Sequence, residues 1–233
     1  MMGGRDVPTP GLKTLAVLSM KGGTGKTTLA VSLAVASHLR GRRALLADID
    51  PQRSASDAMK MRRTPGPTTI DTTGAKLFQL KLIAAREGYE TLVIDTAGSR
   101  EAEMVAAMNA ADLCLLVTRP SFLDIVAAVR TADVVRRVGR QAMVVLNQAP
   151  SARQGRESST LTKAAEALRF AGLPLAPVGL RSRSAYQAAM ALGLSAEEWA
   201  PGTAAALEVG RLWDALAGQL HGSAGSATTG LRA

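Results

Sequence analysis

The run Met20-Lys21-Gly22-Gly23-Thr24-Gly25-Lys26-Thr27-Thr28 holds the side chains and the backbone freedom that binding a phosphate chain requires. Glycines let the backbone turn with its N–H groups pointing inward, and a helix starting there adds the positive end of its dipole. Gly22, Gly23, Thr24, Gly25, Lys26, Thr27 and Thr28 are therefore the expected nucleotide-binding residues. Lys26 would reach the terminal phosphates, and the Thr27 hydroxyl would ligate Mg2+. The strict pattern GxxxxGK(S/T) is not met, because its first glycine falls on Met20, and a second lysine, Lys21, stands at the start of the loop. Two acids follow in Asp48-Ile49-Asp50-Pro51-Gln52. Carboxylates two apart in an extended segment point the same way, which suits Mg2+ and the orientation of a water beside a triphosphate. Asp50 before Pro51 also fits a helix cap. Asp95 ends the apolar run Leu92-Val93-Ile94, and Asn147 ends Ala142 to Leu146, where it also suits a turn before Pro150.

Taken together, KGGTGKTT, DIDPQ and LVIDTAG resemble the deviant Walker A ATPases, the ParA/MinD superfamily. The resemblance implies ATP and Mg2+ as cofactors and ATP hydrolysis as the activity. It implies that Lys21 reaches across a nucleotide-sandwich homodimer to the phosphates of the partner subunit, with Lys21, Lys26 and Asp50 as the catalytic set. Asp50 would position the attacking water. Asp95 would hold Mg2+ through water, with Asp48 supporting the same shell beside Thr27, and Asn147 would contact adenine. The stretch Gly179 to Ala189 with Gly193 resembles the R-x-x-Y-x-x-A…G segment of small ParA proteins, which walls the base site.

Such residues need a scaffold. Short β-rich runs near 14–19, 43–47, 91–95, 112–117, 142–147 and 175–178 alternate with helical spacing at 26–40, 74–88, 121–139, 158–171 and 203–219. Strand and helix in alternation predict an α/β fold, a mainly parallel twisted sheet of about six to eight strands with helices on both faces. In such sheets ligands bind beyond the carboxyl ends of the strands, where these motifs fall. With 233 residues, the reading is one ATPase domain over 1–233, with 1–12 and 222–233 as loose tails.

Apolar residues make up 47% of the chain and aromatics only 3%, so Ala, Val, Leu and Met must fill the core. A lone cysteine, Cys114, lies in an apolar strand-like run and can form no internal disulfide; with no signal-peptide pattern, the expected location is cytoplasmic, in association with the nucleoid. The formal net charge is +9, and residues 130–183 carry ten basic residues against three acids. Arg130 and Arg137 are seven apart on one helix face, beside Arg136 and Arg140. With Arg181 and Arg183 they are candidate contacts for nonspecific double-stranded DNA, against the alternative of a solvated Arg-rich surface. Few aromatics are present to stack on single strands.

The expected function is that of a ParA-like ATPase. An ATP-dependent dimer would bind DNA, position or segregate DNA or another cargo, and be released by hydrolysis that a ParB-like or cargo-adaptor activator stimulates. Two alternatives share the fold. A MinD-like membrane-positioning ATPase would need a terminal basic amphipathic helix, and residues after Leu220 are mostly Gly, Ser, Ala and Thr, so no membrane partner is expected. An ATP-dependent synthetase would need neither Lys21 nor DNA. An iron–sulfur protein of this fold is excluded, because one buried cysteine cannot supply the cluster ligands.

Overall fold

The computed structural model describes residues 11–98, 100–152, 154 and 156–222. Of the expected tails 1–12 and 222–233, residues 1–10 and 223–233 lie outside them, while Leu12 packs against the core and Gly222 ends a helix. Six strands form one sheet: β1 (Lys13–Leu18), β2 (Ala44–Asp48), β3 (Thr68–Asp71), β4 (Thr91–Asp95), β5 (Leu113–Thr118) and β6 (Gln141–Leu146). Their order is β3-β2-β4-β1-β5-β6, and every pairing is parallel. The chain leaves β1, passes over the place later filled by β4 to form β2, and then builds β5 and β6 on the other side. β1 therefore stands at the switch point of the topology, and the loop after it opens into the crevice where such sheets bind ligands.

Alternate residues of β1 feed two cores, as the two-residue period of a strand requires. Leu15 and Val17 pack with α1 (Lys26–Leu39), α2 (Ser54–Lys60), α7 (Ser184–Met190), α8 (Ala196–Trp199) and α9 (Ala204–Gly222). Ala16 and Leu18 pack on the opposite face with α3 (Leu77–Arg86), α4 (Glu101–Ala110), α5 (Phe122–Arg137) and α6 (Ser159–Phe170). α1 is buried on nearly all sides, between the sheet and α9, which explains its almost wholly apolar and small-residue sequence after Thr28.

The expected strand at 175–178 is corrected to an extended segment touching β6 through an isolated bridge, Val144 to Leu175. Pro174 and Pro177 have no N–H to donate, so a regular ladder cannot form. The segment still follows the edge: Val144 N–H donates to the Pro174 carbonyl at 2.8 Å, Ala176 N–H to Val144 at 2.8 Å and Leu180 N–H to Leu146 at 2.9 Å. On the opposite edge lies β3, which the sequence reading did not separate from its loop. Among the described residues no helix is long and apolar enough to cross a membrane.

Candidate functional site

The loop after β1 lines a cleft of about 640 Å³, together with Asp50, Gln52 and Ser54 from the β2–α2 connection, Ala97 and Gly98 after β4, and Met190 at the end of α7. Three consecutive strand exits of the central sheet thus converge on one cavity. A second cavity, of about 570 Å³ between α3 and α4, is mostly apolar and shares no residue with the loop.

Gly25 caps the N-terminus of α1 in the left-handed region, at φ 86°. A Cβ there would collide with the Asn147 side-chain amide, so glycine is required twice over. Lys26, the first residue of α1, is only 8% exposed, and its Nζ donates to the Lys21 carbonyl at 3.5 Å. Gly98 lets the loop after β4 close on this amine: a Cβ would stand 3.1 Å from Lys26 Nζ. Burial lowers the Lys26 pKa, while Asp95 and Asp50 pull it back upward. A buried cation facing a cleft between glycines can bind an anion strongly, because little water competes for it. Lys21 lies outside this pocket, with an exposed side chain at the rim.

Asp95 is fully buried at the end of β4, and neither carboxylate oxygen has a hydrogen-bond partner in the protein. Burial pushes its pKa up to about 7; the neighbouring Thr27 hydroxyl and the Lys26 charge favour the ionised form, and the Asp48 charge opposes it. A buried carboxylate with no partner is costly unless something satisfies it. A hydrated divalent cation is such a group, and the Thr27 hydroxyl supplies a second hard oxygen donor. These residues therefore fit Mg2+. No cluster of three or more His, Cys, Asp or Glu side chains able to hold a metal exists among the described residues, so the remaining ligands would come from water and phosphate oxygens.

Asp48 is fully buried at the end of β2. Its two oxygens accept backbone N–H groups, from Asp50 at 3.0 Å and Ser56 at 3.0 Å, while the Arg53 guanidinium donates to the Asp48 carbonyl and, at 2.9 Å, to that of Thr72. Burial raises the Asp48 pKa against these backbone bonds. Asp48 is the organiser of the connection that presents Asp50. Asp50 itself is half-buried at the cleft, and one oxygen accepts the Gln52 N–H at 2.9 Å.

Asn147 is buried and its amide donates to the Thr24 carbonyl at 2.7 Å. The next residue, Gln148, held at φ 53°, donates to the Gly23 carbonyl at 2.9 Å. The sequence reading missed Gln148; its only signal was a second amide beside Asn147 at a strand exit. The following residue continues into the 179–193 segment: Ala149 N–H donates to Leu180 at 3.0 Å and Ser182 N–H to Ala149 at 2.9 Å. In that segment Gly193, at φ 66°, packs on the Ala58 carbonyl.

Arg181 and Arg183 are not free cations. Arg181 pairs with Glu157 at 2.5 Å and Arg183 with Glu208 at 2.5 Å, so each of these two expected DNA contacts carries a carboxylate counter-charge. Arg136 pairs with Asp133 at 2.8 Å, and Arg140 donates to the Asn109 carbonyl at 2.7 Å. Arg130 and Arg137 remain exposed on α5, with no carboxylate partner among the described residues.

Comparison with known proteins follows the same outline. The profile of the CobQ/CobB/MinD/ParA nucleotide binding domain matches residues 15–192. The maintenance of carboxysome distribution protein A of Gloeobacter kilaueensis is 33% identical over 190 residues, covering 80% of this chain and 85% of the relative. Among solved structures, an ATP complex of an McdA variant from Cyanothece superposes with a TM-score of 0.73 at 15% identity, covering 95% of this chain and 99% of that one. MinD of Pyrococcus horikoshii with Mg-ADP gives a TM-score of 0.68 at 18% identity, covering 88% and 96%. The two structural likenesses show the fold.

Proposed function

Since the chain belongs to the CobQ/CobB/MinD/ParA nucleotide-binding family, we propose that it is an ATPase that positions a cargo by nucleotide-dependent dimerisation on DNA. The observation that carries this reading is the pairing of buried Lys26, set between Gly98 and the loop, with the buried and unpartnered carboxylate of Asp95. One group awaits the negative charge of a phosphate chain, the other a cation.

Thr27 and Asp95 would hold Mg2+, which when bound supplies charge neutralisation on the phosphate oxygens. Lys26 binds the terminal phosphates, and the cost of burying its charge is offset only when they arrive. Asp50, held by the Asp48 turn at the cleft wall, orients the attacking water. Lys21, exposed at the rim, serves the phosphates of the partner subunit, so each site is complete only in the dimer. Arg130 and Arg137 supply sequence-independent contacts to DNA phosphates, doubled by the dimer. The curated relative named for carboxysome distribution supports a cargo other than DNA itself; an adaptor that stimulates hydrolysis would complete the cycle.

Phosphate release by Asp50→Ala tests the assignment. The variant should bind ATP as the unaltered protein does and hydrolyse it about a hundredfold more slowly or worse, because the phosphate cradle is intact and only water positioning is lost. Normal turnover would refute the role of Asp50. A metabolite-dependent ADP release, in place of slow release stimulated by DNA or an adaptor, would favour the synthetase alternative.

A further inference from the structure

The two amide side chains at the exit of β6 do something that a base-reading role for Asn147 does not require. Asn147 donates to the carbonyl of Thr24 and Gln148 to that of Gly23, so two consecutive loop carbonyls are held outward, against β6. No peptide among the described residues is cis. In a trans peptide the carbonyl and the N–H that follows it point in opposite directions. Fixing the carbonyls of Gly23 and Thr24 therefore turns the N–H groups of Thr24 and Gly25 to the concave side of the loop. That is the polarity an anion needs.

We propose that Asn147 and Gln148 are positioning residues that set the phosphate-binding shape of the loop from outside, a role resting on the ATPase reading above. Their bonds would otherwise have to be formed when the ligand arrives, at the cost of ordering a glycine-rich segment. Gly25 accommodates the brace: with any side chain it would displace the Asn147 amide. Backbone pairing of Ala149 with Leu180 and Ser182 anchors the brace to the rest of the fold.

The test is binding of Mg-ATP, Mg-GTP and inorganic tripolyphosphate to full-length Gln148→Ala, Gln148→Glu and Asn147→Ala. Gln148 is exposed, so its variants leave the core intact even if Asn147→Ala does not fold. Gln148→Ala should weaken all three ligands by the same factor, about five- to tenfold for one neutral hydrogen bond, with KM affected more than kcat. Gln148→Glu, which keeps the shape but loses the donor and sets a charge against the carbonyl, should weaken them further. Loss for ATP with tripolyphosphate unchanged would assign the pair to base recognition and overturn the brace, as would unchanged affinities for all three. If the unaltered protein bound none of them, the nucleotide reading itself would fail and this role with it.

Discussion

Gly25 shows how much a single position can demand. It occupies a left-handed conformation that costs other L-residues about 1–2 kcal/mol, and it stands where a methyl group would meet Asn147. Gly25→Ala is expected to lower thermal stability by at least that amount and to abolish ATP affinity, measured by thermal melts and isothermal titration. A variant with intact affinity would mean that the loop reaches its binding shape without Asn147. Here the local geometry was legible: Gly25, Lys26 and Thr27 open α1 and line the cleft, where their spacing places them. Asn147 was legible as a site residue, but its partner was not, because a contact across 123 positions leaves no local trace. The hydrogen bonding of Asp48 was hidden for a similar reason. Carboxylates near a triphosphate suggest metal, while the bonds from Asp50 and Ser56 depend on how α2 folds back.

Among the elements, the strands that build the centre of the sheet announce themselves by buried apolar runs, and β3 does not. Thr68–Asp71 is short, mostly exposed and preceded by Pro67, so neither alternation nor a buried run marks it. The helices α2, α7 and α8 are too short to show a helical period. α9 was readable, but the work of its Glu208 was not. This carboxylate accepts the Arg181 N–H at 3.1 Å, the Tyr186 hydroxyl at 2.7 Å and the Arg183 guanidinium, tying the 181–186 segment to α9. Burial pushes the Glu208 pKa up, yet the bonds from Arg183, Tyr186 and Arg181 outweigh it and hold the carboxyl below its ordinary 4.5. A depressed folded pKa contributes stability that is present above pH 4.5 and disappears as pH falls through the folded value. Glu208→Gln should therefore cost about 1–3 kcal/mol at pH 7, with the gap to the unaltered protein closing as pH falls below the ordinary 4.5 in urea titrations. A constant gap across that range would show that packing, and not charge, holds the segment.

At the scale of the whole molecule, two surfaces carry the proposed cycle. In the proposed dimer the rim of the cleft would present Lys21 to a second copy, and Lys21→Ala is expected to keep ATP binding while losing the ATP-dependent rise in mass seen by light scattering. A rise equal to that of the unaltered protein would place dimerisation on other residues. α5 presents Arg130 and Arg137, and reversing both to Glu should weaken duplex DNA binding at every sequence. The log–log salt dependence should flatten by about 2 per protomer, with nucleotide affinity retained. An unchanged slope would move the DNA surface elsewhere. Net charge alone pointed to a polyanion, but only the folded arrangement shows that Glu157 and Glu208 pair with Arg181 and Arg183. The proline-bearing segment along β6 has a consequence of another kind. Pro174 and Pro177 supply carbonyls and no amides, and the segment occupies the ladder positions that a foreign strand would use. At the other margin only the four residues of β3 remain, ending in Asp71. Among the described residues the sheet thus offers little free edge as a template for strand-by-strand fibril growth. Copies held at high local density would therefore meet few free strand edges of the kind that seed amyloid-like stacking.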